Sequence, residues 1–168
     1  MSAFLIDTFE FSRLKERREG ELAVADCARL REEVVDPSAD AAGMVHWVAQ
    51  GGTHALGYPQ LHMSVKAEVK LMCQRCLTPF AFPVASQTTL VLARDEEAAD
   101  ELEDKLADED LDVIAGSKNM NLLELVEDEV LLAIPLSPKH ERCPDQLGQE
   151  IGGVDKRVSP FEVLKNKQ

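Results

Sequence analysis

Four residues of this chain have the types and spacing to hold a metal ion or to do thiol chemistry. Cys73 and Cys76 form a Cys-x-x-Cys pair, and His140 and Cys143 form a second pair far along the chain. Thiolates and imidazole nitrogens are the donors of closed, tetrahedral zinc sites, and the first pair has knuckle spacing. A Cys-Cys-His-Cys set would make one structural zinc centre, provided the chain returns His140 across the long insert to the first pair. The competing account is simple packing, with Cys73 a small hydrophobe on the inner face of a sheet and Cys76 half-exposed in a turn. Redox catalysis fits less well. A thioredoxin-type pair needs a helix N-terminus after a strand, whereas here Leu77-Thr78-Pro79 and a second strand follow.

The elements around the first pair are those of a hairpin. Leu61, Met63, Val65, Ala67, Val69, Leu71 and Cys73 hold the odd positions, with His62, Ser64, Lys66, Glu68 and Lys70 between them. That period of two is the mark of a half-buried strand. Phe80, Phe82, Val84, Thr88, Leu90 and Leu92 repeat it more loosely. Upstream, Asp7 and Glu10 have capping-box spacing for a short amphipathic helix ending near Gly20. Glu21 to Leu30 alternates weakly as a strand, and Asp36-Pro37-Ser38 marks a turn. Met44 to Gln50 is a strand with Val45, Trp47 and Ala49 on one face, broken by Gly51-Gly52. After Leu111–Ile114, a short edge strand, comes the clearest helix. Asn121 is its N-cap, Leu122, Leu123, Val126, Val130 and Ala133 face the sheet, and Pro135 ends it. Glu124, Glu127 and Asp128 are expected on its outer face. Ser159-Pro160 opens a terminal helix or hook. The expected fold class is α+β, an antiparallel sheet with a Cys-x-x-Cys hairpin, one main covering helix and a short N-terminal helix. Residues 1–94 carry the first helix and the sheet, 95–110 form an acidic linker, and 111–168 complete the same domain.

Charge divides the chain. Fifteen of its 31 acidic residues fall between Asp95 and Glu129, against Lys105 and Lys118, and the rest of the sequence is balanced. Such a segment attracts basic partners and repels phosphate backbones, or serves as a solvated loop. Arg13, Lys15, Arg17 and Arg18, with Arg29 and Arg31, are suited to phosphate contacts, unless they pair with Glu16, Glu19 and Glu21. One Trp and one Tyr make no stacking platform for single-stranded nucleic acid. The first eleven residues lack a basic region followed by an apolar run, and no stretch reaches the length of a spanning helix, so a cytoplasmic protein is expected. Its four cysteines are then thiols or ligands. No Gly-rich phosphate loop or nucleophile motif accompanies the four histidines, so no enzyme is expected.

Taken together, Cys73-Gln-Arg-Cys-Leu, the run from Leu122-Leu-Glu-Leu-Val-Glu-Asp-Glu-Val through Ile134-Pro-Leu-Ser-Pro-Lys-His140, Cys143 and the terminal Ser159-Pro-Phe-Glu-Val-Leu resemble the bacterial YceD family. Proteins of that family are described as large-ribosomal-RNA accumulation proteins. The resemblance implies a non-enzymatic role in accumulation or processing of large-subunit (23S) ribosomal RNA. Family genes often neighbour one for a zinc-ribbon protein of the large subunit. The implied partner is therefore a basic large-subunit ribosomal protein or an assembly factor, with ribosomal RNA contacted indirectly. Arg75, Glu124, Glu127 and Asp128 are the expected partner-binding residues. Some relatives carry a full second cysteine pair where this chain has His140 and Cys143, which implies metal binding in those relatives. The alternatives are direct RNA binding by the basic N-terminal helix, with the acidic segment as an autoinhibitory mimic, and a zinc- or thiol-dependent enzyme.

Overall fold

The computed structural model describes residues 4–36 and 43–144. The fold is α+β. Strands β1 (Leu5–Ile6), β2 (Arg17–Ala23), β3 (Met44–Thr53), β4 (Pro59–Met72), β5 (Pro79–Ala93), β6 (Asp112–Ala115) and β7 (Met120–Asn121) accompany helices α1 (Thr8–Arg13), α2 (Leu30–Glu33), α3 (Glu96–Lys105) and α4 (Leu122–Ala133). Five strands form one sheet in the order β2-β3-β4-β5-β6, and β1 pairs with β7 in a separate ribbon. The long β4–β5 hairpin, from Gln60 opposite Val91 to Met72 opposite Pro79, is the spine of the sheet.

The odd positions of β4 explain why this sheet has an inside. Leu61, Met63, Val65, Val69 and Leu71 are buried with Val45, Trp47 and Ala49 of β3. On them lie Phe11 of α1, Leu30 of α2, and Leu122, Val126 and Val130 of α4. The Asn121 side chain caps α4 by accepting from the Leu123 N–H, and the helix stops at Ala133, two residues before Pro135.

Five expectations change. The first helix ends at Arg13, because Lys15 takes a left-handed conformation (φ 54°) and the chain turns into β2. Arg17 and Arg18 therefore sit on a strand, and residues 24–33 are a 3-10 turn and α2 instead of the expected strand. β3 runs through Gly51-Gly52 to Thr53. Gly51 is required there for room: a Cβ would stand 2.3 Å from the backbone oxygen of Phe11, which α1 lays across the strand. The sheet is mixed, since β6 pairs in parallel with β5. Finally, residues 95–110 contain α3, capped by the Asp95 side chain accepting from the Ala98 N–H.

Helix α3 covers the opposite face of the sheet. Successive residues of a strand point to opposite sides, so Val91 and Ala93 turn away from the main core that holds Leu90. They pack instead with Ala99, Leu102 and Leu106. β5 is thus buried on both faces at this end. The expected terminal hook at Ser159-Pro160 and the Pro37-Ser38 part of the expected turn lie outside the described residues.

Candidate metal centre and charged surfaces

The connection between β4 and β5 is the segment Cys73–Thr78. The Cys73 N–H donates to the Thr78 carbonyl (3.0 Å) and the Leu77 N–H to the Cys73 carbonyl (2.9 Å). Closing this turn puts Leu77 in a left-handed conformation (φ 58°), and its side chain is 70% exposed. Beyond α4, Pro135 releases the chain from the helical direction and residues 135–143 run back to the turn. The Gln74 N–H donates to the Pro138 carbonyl (2.9 Å), fixing the two segments side by side.

This anchoring brings all four expected ligand residues together. One sulfur or ring nitrogen from each of Cys73, Cys76, His140 and Cys143 lies within 4.8 Å of the other three, so the group could hold a metal ion. Cys73 Sγ is 3.8 Å from Cys143 Sγ, and Cys76 Sγ is 3.3 Å from His140 Nδ1. The His140 ring lies against Phe80, with centroids 4.7 Å apart. Backbone N–H groups of Arg75 and His140 donate to Cys73 Sγ (3.4 and 3.5 Å).

Those donors set the protonation pattern. Burial pushes the Cys73 thiol up, but N–H groups of Cys76, His140 and Arg75 and the His140 side chain outweigh it, so its pKa falls below the ordinary thiol value. Cys143 goes the other way, raised by burial and by Cys76 and Cys73 beside it. The cluster thus favours thiolate at Cys73, the form that binds metal. Cys27 stands apart. Its thiol is pushed up to about 11 by burial and by Glu127, and it points at the Ala23 carbonyl.

The expected partner-binding residues separate. Arg75 is exposed at the hairpin turn and Glu124 on α4. Glu127, expected on the outer face, is buried at 7% exposure. Its Oε1 accepts from the N–H groups of Arg29 (2.7 Å) and Leu30 (3.0 Å), and its Oε2 from the Arg29 guanidinium (3.0 Å). Asp128 pairs with the same guanidinium. Both carboxylates therefore hold α2 against α4, a role that helical periodicity alone did not reveal. The basic N-terminal residues are also engaged: Arg13 with Glu10, Arg17 with Glu19 and Arg18 with Glu16. By contrast α3 and the turn after it expose Glu96, Glu97, Asp100, Glu101, Glu103, Asp104, Asp108, Glu109 and Asp110. Among the described residues, no helix is long and apolar enough to cross a membrane.

Comparison with known proteins bears on what this arrangement serves. The chain is 30% identical over 109 residues to the Large ribosomal RNA subunit accumulation protein YceD of Haemophilus influenzae. The match covers 61% of this chain and spans 61% of the length of that relative. No solved structure matches the chain. Residues 61–166 match the family described as Large ribosomal RNA subunit accumulation protein YceD. That match takes in the β4–β5 hairpin, both ligand pairs and α4, and by it this chain belongs to the YceD family.

Proposed function

We propose that this protein is a non-enzymatic factor of the cytoplasm that supports accumulation of large-subunit ribosomal RNA by holding a basic ribosomal protein or assembly factor. The observation that carries the reading is α3. An acidic stretch that would be a solvated tether if unfolded is instead a capped helix, fixed to β5 through Ala99 and Leu102, with its carboxylates outward. A rigid array of like charge repels phosphate and captures Lys/Arg-rich surfaces, raising the rate of encounter more than the final affinity. Glu124 of α4 is an exposed carboxylate apart from this array, since α4 covers the other face of the sheet.

In this reading the Cys/His cluster holds one structural zinc ion. With Zn–S bonds of about 2.3 Å and Zn–N of about 2.0 Å at tetrahedral angles, sulfur–sulfur edges are about 3.8 Å and sulfur–nitrogen edges about 3.5 Å. The separations of 3.8 Å for Cys73–Cys143 and 3.3 Å for Cys76–His140 Nδ1 fit that donor set. Four protein ligands close the coordination sphere, so the ion would staple residues 138–143 to the hairpin turn and leave no position for a substrate. Arg75, between two ligands, would be held at the rim.

The test is capture of tagged protein from growing cells at low salt, with and without nuclease. Wild-type protein should retain a basic ribosomal protein or assembly factor after nuclease, and a variant with the α3 carboxylates changed to amides should lose it. Retention by the neutralised variant, or loss of every partner on nuclease treatment, would sink the proposal.

A further inference from the structure

We propose that the Cys/His end of the sheet is a contact surface for RNA phosphates, formed by Arg75, Lys139 and Arg142. Each of these is one or two residues from a member of the ligand cluster, whose donor atoms all lie within 4.8 Å of one another. Cys73 and Cys143 are buried while Arg75, Lys139 and Arg142 are exposed, so three solvent-facing cations stand within two residues of one buried cluster. In the two segments 73–78 and 138–143 the only acid is Glu141. Glu33, which lines the same groove as Gln74, marks where the patch ends.

With 31 acidic residues against 18 basic ones, carboxylates are in excess. Arg13, Arg17, Arg18, Arg29 and Arg94 each sit within ion-pair distance of one. Arg75, Lys139 and Arg142 do not, a condition that among the described residues they share with Lys15, Arg31, Lys66, Lys70, Lys105 and Lys118; what sets the three apart is that all lie within two residues of one cluster. Leu77 adds a second observation, an exposed leucine in backbone geometry that favours glycine, two residues from Arg75 in the same turn. Strain and exposure combined at one turn are features of contact sites.

The acidic helix does not cancel this patch. α3 follows the far end of β5, a strand of 15 residues, or about 45 Å at roughly 3.3 Å per residue. The screening length at physiological salt is about 8 Å. A phosphate backbone approaching the Cys/His end meets the local cations, and the acids at the other end bias its orientation. This surface is separate from the one proposed for a basic protein partner, and the two stand or fall independently.

The experiment is fluorescence anisotropy of the full chain as purified with two labelled probes, a single-stranded oligouridylate and a fragment of large-subunit ribosomal RNA. Wild type should bind both at low salt with a steep salt dependence. R75Q/K139Q/R142Q should weaken binding about tenfold or more and flatten the slope of log K against log salt by about 2, three contacts at about 0.7 each. R13Q/R17Q should bind as wild type. Zinc content and the melting midpoint report whether the triple variant keeps its fold. If it does not, R75Q alone, at the exposed tip, should lower the slope by about 0.7. Absence of wild-type binding, unchanged binding by the triple or single variant, or loss caused by R13Q/R17Q overturns the inference. So does loss of a nuclease-resistant protein partner by the triple variant with RNA binding intact. The amide variant of α3 should leave RNA binding at least as tight as wild type, which separates this result from the partner test.

Discussion

Replacing Glu127 tests whether the acids of α4 are contacts or structure. Glu127→Ala removes the acceptor for two backbone N–H groups, those of Arg29 and Leu30, at 2.7 and 3.0 Å. Leu30 is fully buried, so water cannot take over fully. A buried donor left without an acceptor costs about 1–3 kcal/mol. Two of them, plus the cavity, place the loss at about 3–4 kcal/mol, a large part of the roughly 5–15 kcal/mol by which domains are stable. The half-exposed guanidinium keeps Asp128 and adds little. Glu127→Gln retains an oxygen for the N–H groups but turns an amide toward the guanidinium, and should cost about 1–2 kcal/mol. Urea unfolding followed by the fluorescence of Trp47, the single tryptophan and a buried one, reads both.

The pH dependence of that stability carries a sign. Burial pushes the Glu127 carboxyl up, but the Leu30 and Arg29 N–H groups and the guanidinium outweigh it, and its pKa lies below the ordinary carboxylate value. A depressed pKa contributes stability that is full above the unfolded-state value and lost as pH falls through the folded one. Wild type should therefore lose stability on the acid side more steeply than Glu127→Gln. An alanine variant within about 0.5 kcal/mol of wild type, or one of full stability that fails only in partner capture, would refute the structural role.

Three further outcomes are expected. His140→Cys should keep one zinc per chain, since four thiolates close a site as well as three and an imidazole, whereas His140→Ala should lose metal and lower the melting midpoint; metal analysis on desalted protein and a thermal scan decide it. Gly51→Ala should cost about 2–3 kcal/mol by urea titration, because the new methyl meets backbone and not a movable side chain. Leu102→Ala should cost about 2–3 kcal/mol and raise amide exchange across α3 while leaving α4 protected, as the two helices belong to different clusters.

The β4–β5 hairpin and α4 were legible in the sequence because each carries one clean period, two for Leu61–Leu71 and helical for Leu122–Val130. Each is also bounded by a decisive residue, Asn121 and Pro135 among them. Helix α3 was obscured by its acidity, although Asp95 at a cap position and Ala99, Leu102 and Leu106 at helical spacing were present. The unbroken apolar run Leu90–Ala93 was the second clue, since a strand covered on one face has no use for four consecutive apolar residues. The parallel pairing of β6 had no local signal, because it depends on where α3 delivers the chain. Gly51 misled for a related reason: glycine marks a break and a close approach equally, and only the position of Phe11 tells them apart. Of the candidate metal centre, each pair was visible. Their meeting was not, because it depends on the length of α4 and the Gln74–Pro138 bond.

The β1–β7 ribbon has a consequence for the order in which this protein can be made. Leu5 pairs with Asn121, the Thr8 hydroxyl donates to the Ser117 carbonyl, and the Leu122 N–H donates to the Phe4 carbonyl. The first turn of α4 thus receives part of its closure from residues about 115 positions earlier in the chain. On the ribosome, where domains assemble from the N-terminal side onward, residues 4–8 have no ribbon partner until residues 117–122 have emerged. The β3–β4–β5 meander, whose pairings are local, can form well before that. Residues 4–8, made well before their partners, are therefore among the last to be locked in place, and a stall in translation before Ser117 leaves Ile6 without its ribbon partner Met120.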